Sequence, residues 1–178
     1  MVNESRIEKL NLYSNVLKKQ MGLTIYIPQH HNNENHLPVL YFLHGRSGSE
    51  NIIFELDILK TVDTLVSQNV IKPIIIVCPR LENSRGINSS LITKEIIPLH
   101  SNERTINLGL YEDYFIKEII PFIDSNYKTL NNKKGRFIGG ASAGGYAALN
   151  YGLRYLDLFS KIGGHMPALE LQLDQEDI

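Results

Sequence analysis

The sequence predicts an α/β protein, a mostly parallel β-sheet with helices on both faces. Three observations predict it. Residues 37–43 and 74–77 are short runs apolar on both faces, as expected of central strands in a covered sheet. Segments of helical periodicity, 53–66 and 110–123 among them, alternate with those runs along the chain. A glycine-rich stretch at 139–145 then joins an apolar run to another helical segment. Strands that alternate with helices return as parallel neighbours through crossovers of one hand.

Taken in order, residues 22–28 alternate apolar and polar positions, are rich in β-branched and aromatic side chains, and end at Pro28, which reads as a half-buried strand. A polar stretch at 29–36 separates it from the run at 37–43. His30, His31 and His36 lie there without carboxylates or cysteines at ligand spacing, so a solvated loop is expected and no metal site. Residues 53–66 place Phe54, Ile58, Leu59, Val62, Leu65 and Val66 on one stripe of a helix. The strand at 74–77 is closed by Pro79, and residues 81–107, rich in Asn, Ser and charge, read as a long irregular and functional stretch. Residues 110–123 form a helix in which Pro121 is expected to force a kink, because proline lacks a donor and crowds the preceding turn. Residues 126–134 read as a turn, 136–140 as a strand, 146–155 as a helix and 159–164 as one more strand.

Composition narrows the function. Of the 178 residues 43% are hydrophobic and 21% charged, which fits one soluble globular domain over residues 1–178. A net charge of -1 with scattered Lys and Arg provides no field for a phosphate backbone, so no nucleic-acid partner is expected. The single cysteine, Cys78, lies inside an apolar run and reads as a buried structural thiol. The opening residues are polar and no run of about 18 apolar residues occurs, so the cytoplasm is the expected location and no membrane partner is expected.

The chemistry concentrates at Gly140-Ala-Ser142-Ala-Gly144, between an apolar strand and an amphipathic helix. The bare G-x-S-x-G pattern arises by chance in roughly one chain of this length in twenty, so its placement carries the weight. A serine on a tight strand-to-helix turn needs glycines on either side to avoid collisions, and the turn pushes the hydroxyl out at the sheet edge. The competing reading is a glycine-rich junction whose serine merely caps the helix. A second signal, His44-Gly-Arg46-Ser-Gly48, follows the strand at 37–43. A loop there can aim a main-chain N–H at a reacting carbonyl. Acyl transfer needs two such donors, and Ala143 and Arg46 are the candidates for this oxyanion hole. His44 reads as a residue that fixes the loop rather than as a base.

With both signals in place the chain resembles the Putative esterase family of α/β-hydrolases, which includes S-formylglutathione hydrolases, feruloyl esterases and enterochelin esterases. The resemblance rests on residues 22–28, 38–45, 109–115, 119–124 and 139–145 and spans most of the chain. It implies an α/β-hydrolase fold with Ser142 as nucleophile and with Arg46 and Ala143 in the oxyanion hole. It also implies a catalytic acid and histidine beyond the strand at 159–164. The residues after Ser142 hold His165 and several acids, which read instead as rim and surface positions. The domain is therefore expected to be C-terminally incomplete, lacking strands that would cover its last edge. Self-association is expected unless a partner caps that edge.

The function expected is hydrolysis of small acyl esters or thioesters through an acyl-serine, with no cofactor and a small-molecule ester as substrate. The alternatives are acyl transfer to an alcohol on the same fold and a catalytically inactive hydrolase-fold binding protein.

Overall fold

A computed structural model of the chain describes residues 5–28, 36–89, 94–99 and 102–169. The first two strands, β1 (Arg6–Ser14) and β2 (Lys19–Ile27), form an antiparallel hairpin running in register from Arg6 opposite Ile27 to Ser14 opposite Lys19. The short 15–18 turn dictates this, because parallel neighbours need a longer crossover. β3 (Val39–Leu43), β4 (Ile75–Pro79), β7 (Arg136–Ala141) and β8 (Lys161–His165) complete a sheet of order β1-β2-β4-β3-β7-β8. β2 meets β4 antiparallel, and from β4 onward every pairing is parallel. The expected parallel sheet is thus present where the chemistry-bearing turns lie, and β1 is an addition to it.

Helices cover both faces. On one, α3 (Tyr111–Asp113), a π-helical segment Tyr114–Ile119, α4 (Ile120–Asn126) and α5 (Ala143–Arg154) pack on Tyr41, Leu43, Val77 and Ile138. Phe115 centres this layer, stacked 5.0 Å from Tyr151 and edge-on to Tyr41 at 5.4 Å. On the other, Tyr26, Ile76 and Cys78 lie under Ile52, Ile53 and the stripe Ile58, Leu59 and Val62. Burial pushes the Cys78 thiol up to about 12, so it stays protonated and inert, as a structural cysteine should.

Two local expectations are corrected and a third is refined. The helix expected over 53–66 is two, α1 (Ile52–Glu55) and α2 (Ile58–Ser67), broken where Asp57 takes a left-handed φ of 49° that Asp tolerates better than most residues. Pro121, where a kink is expected, stands directly after the π-helical segment Tyr114–Ile119, so the helical ladder changes its pairing just where the proline lacks a donor. The stretch 81–107 is not irregular throughout. It ends in a separate antiparallel hairpin of β5 (Lys94–Leu99) and β6 (Asn102–Asn107).

β8 is the edge of the sheet among the described residues, and all five of its residues are exposed. No helix among the described residues is long and apolar enough to cross a membrane.

Candidate active site

Ser142 sits between the last residue of β7 and the first of α5, with φ 51° and ψ -116°. That backbone region is strained for a side-chain-bearing residue and marks a sharp elbow. Its hydroxyl does not cap the helix, and the residue is exposed, which removes the capping reading. The elbow is held by main-chain bonds: Ser142 N–H donates to His165 O at 3.0 Å, and Ser142 O accepts from Tyr146 and Ala168, each at 3.0 Å. Helix α5 starts at Ala143 rather than at 146 as expected, which brings its N-terminus against the serine.

The glycines are required by contact. A Cβ on Gly144 would lie 2.2 Å from Leu43 O and 2.5 Å from His44 O, and one on Gly140 would lie 2.5 Å from the main chain of Gly144. The elbow thus presses directly on the end of β3, bringing the two glycine-containing signals of the sequence together. The loop after β3 continues the contact, since a Cβ on Gly45 would be 3.3 Å from Ser142 Cβ. Gly48 N–H then donates to Gly45 O at 3.1 Å, closing a turn with Arg46 inside it and Ser47 left-handed at φ 62°.

The first ladder donor of α5 is Tyr146, so the N–H groups of Ala143, Gly144 and Gly145 have no acceptor within the helix. These donors and the helix dipole favour negative charge beside Ser142.

His44 is 2% exposed, and its Nε2 accepts the Leu81 N–H at 2.9 Å. Nδ1 therefore carries the proton and donates to Gly45 O at 2.8 Å. Burial first, and then the charge of Arg80, hold its pKa below the ordinary histidine value despite the Gly45 bond. His44 is a structural strut, as its place at a strand end suggested. His165 lies at the exposed end of β8, where its carbonyl steadies Ser142 and the residue lines a cavity of about 480 Å³ shared with Phe42 and Phe137. Asp157 is exposed. His30 and His31 lie outside the described residues, and no cluster of potential metal ligands occurs among those described.

Sequence reasoning marked the stretch 81–107 as functional but not the residues in it that reach the site. Asn83 Oδ1 accepts the Ser47 N–H at 2.7 Å, and Tyr151 of α5 donates from its hydroxyl to Gly86 O. Residues 81–89 therefore join the loop after β3 to the helix that follows Ser142. Their polar, irregular composition gave no periodic signal, although the left-handed Glu82, Arg85 and Gly86 mark a tightly folded loop.

The parallel sheet with helices on both faces and the serine elbow between β7 and α5 define a protein of α/β-hydrolase type. Residues 14–174 match the Putative esterase family, and the chain belongs to it. It is 25% identical over 173 residues to an esterase of Mycobacterium tuberculosis, covering 97% of this chain and 34% of that protein. It is 29% identical over 157 residues to an acetyl esterase of Caldicellulosiruptor saccharolyticus, covering 84% of this chain and 51% of that one. The solved structure of a ferulic acid esterase aligns with a TM-score of 0.72 and 28% identity over 89% of this chain and 56% of that chain. The chain thus spans about a third of the length of the first of these relatives and about half of the second.

Proposed function

We propose that the chain carries the nucleophile and oxyanion hole of a serine carboxylic-ester hydrolase acting on small acyl esters or thioesters. The observation that carries this reading is the strained, exposed, uncapped Ser142 pressed against the loop after β3. In the proposed reaction Ser142 Oγ attacks the ester carbonyl carbon as a general base takes its proton, and the carbonyl π pair moves onto oxygen. The N–H groups of Ala143 and Arg46 hold that oxyanion. Its collapse expels the alcohol or thiol, and water then releases the acid and restores Ser142. No cofactor enters these steps. Acyl transfer to an alcohol differs only in the acceptor of the second half-reaction.

The small-acyl preference is supported by family membership and by the likeness to an acetyl esterase. Work in the cytoplasm is part of the same reading, tested by fractionating cells that express the chain. The central experiment treats the purified chain with a fluorophosphonate probe, with Ser142→Ala as control, beside nitrophenyl esters of increasing chain length. The expected result is slow label on Ser142 that the substitution abolishes, and slow turnover in which acetate is still cleaved faster than long acyl chains, because no base bonds the Ser142 hydroxyl among the described residues. Label that survives Ser142→Ala would overturn the nucleophile assignment, and no label on the parent chain would favour a binding protein of hydrolase fold. A preference for long chains would overturn the substrate class.

A further inference from the structure

We propose that Asn83 is the positioning residue of the oxyanion loop, an inference that rests on the reading of Ser142 and Arg46 given above. The turn from Gly45 to Gly48 is fixed at two points only a few bonds from the Arg46 N–H. On one side Gly45 packs on the elbow, 3.3 Å from Ser142 Cβ when a Cβ is placed on it. On the other, Ser47 is held left-handed at φ 62°.

The turn's own bond, Gly48 N–H to Gly45 O, leaves the Ser47 N–H to find an acceptor elsewhere. That acceptor is the Asn83 side-chain oxygen at 2.7 Å. The Arg46 N–H lies one peptide from this anchor, so the rotation of the 46–47 peptides, and with it the direction of the donor, depends on Asn83.

Asn83 can serve as an anchor because it is itself clamped. Its N–H donates to Asn107 Oδ1 at 3.2 Å, and its carbonyl accepts the Asn107 N–H at 3.4 Å, which ties it to the end of β6. Two residues earlier Leu81 is held by His44, and Ser84 Oγ donates back to Leu81 O at 2.6 Å. The intervening Glu82, left-handed at φ 52°, has its carboxylate gripped by Lys19 at 2.6 Å and by the Tyr111 hydroxyl. A loop pinned at each of these residues transmits position rather than absorbing movement. An oxyanion donor stabilises charge that exists only in the transition state, so a displaced loop should lower turnover while leaving substrate binding nearly unchanged.

The test compares Asn83→Leu, which removes the acceptor at similar size, with Asn83→Asp, which keeps one. Three quantities are read: amide exchange over residues 44–48, the rate at which Ser142 displaces fluoride from a small alkyl fluorophosphonate, and kcat and KM on nitrophenyl acetate. Asn83→Leu is expected to speed exchange and to slow phosphonylation and kcat about 10- to 100-fold with KM within about threefold. Asn83→Asp is expected to stay within about threefold of the parent chain on each. Unchanged exchange in Asn83→Leu overturns the proposal, as does faster exchange with unchanged labelling, which would make Asn83 a structural tie alone. A parent chain that takes no label on Ser142 instead fails the underlying reading and removes the proposal with it.

Discussion

His44 Nε2 accepts the Leu81 main-chain N–H at 2.9 Å, so a buried imidazole at the end of β3 holds the chain two residues past the end of β4. A proton on that nitrogen would set a donor against a donor. Burial holds the folded-state pKa of His44 below its ordinary value of 6.5, so between the two values the unfolded chain binds the proton more readily. The stability His44 contributes is therefore complete above about pH 6.5 and is lost as pH falls below it, by up to about 1.4 kcal/mol per pH unit. Thermal unfolding from pH 8 to 5 should show this slope, and His44→Gln, which keeps an acceptor that does not titrate, should flatten it. An identical slope in both proteins would refute the assignment.

Gly144→Ala should be among the most damaging substitutions in the chain. Alanine favours a helix by about 1 kcal/mol over glycine, but here its Cβ would meet Leu43 O at 2.2 Å, and neither main chain can yield. A loss of about 3 kcal/mol or more is expected. Gly163→Ala in β8, where no heavy atom lies within 4 Å of the added carbon, should stay within about 0.5 kcal/mol. Urea unfolding of the two variants side by side checks the contrast.

Glu112 provides a second contrast. Its side chain is 3% exposed and accepts from Arg154 at 2.8 Å and from Tyr155 at 2.5 Å, joining α3 to the end of α5. Glu112→Ala strips partners from both and should cost about 2–4 kcal/mol. Arg154, whose side chain is 59% exposed, should cost less than about 1 kcal/mol on truncation to alanine. Equal losses would show that the pair, rather than the buried carboxylate, sets the energy.

The edge at β8 predicts association. Ile162 is 40% exposed on a strand whose outer main-chain groups face no neighbour in the described sheet. Light scattering behind a sizing column should show species larger than one chain that shift toward monomer with dilution and with Ile162→Lys. A monomer at every concentration would count against it.

The legible parts of this molecule were those where packing demands a pattern. Val39–Leu43 and Ile75–Pro79 lie inside the covered sheet, so their apolar runs announced them. The elbow was legible because contacts from Leu43 and His44 forbid side chains at 144. β1 escaped because it is only half covered, with Leu10 and Leu12 alternating against Asn11 and Tyr13 too briefly to stand out beside Glu8 and Lys9. Among the described residues the hairpin of β5 and β6 pairs only with itself, and Pro98 argues against a strand, so the sequence there lacks a sheet-facing stripe. Asn83 was invisible because its work is done by one side-chain oxygen on a residue distant in sequence, which leaves no periodic trace.

The pairing of Leu43 with Gly140 joins residues about a hundred positions apart, and such distant pairings form slowly. The hairpin of β1 and β2, closed by four residues, can form early and locally. The elbow at Ser142, which directly follows β7, is therefore expected to form late. With Ser142 as the proposed nucleophile, the moment at which it begins to take a fluorophosphonate during refolding would time the arrival of β7 beside β3, making the serine a chemical clock for assembly of the sheet.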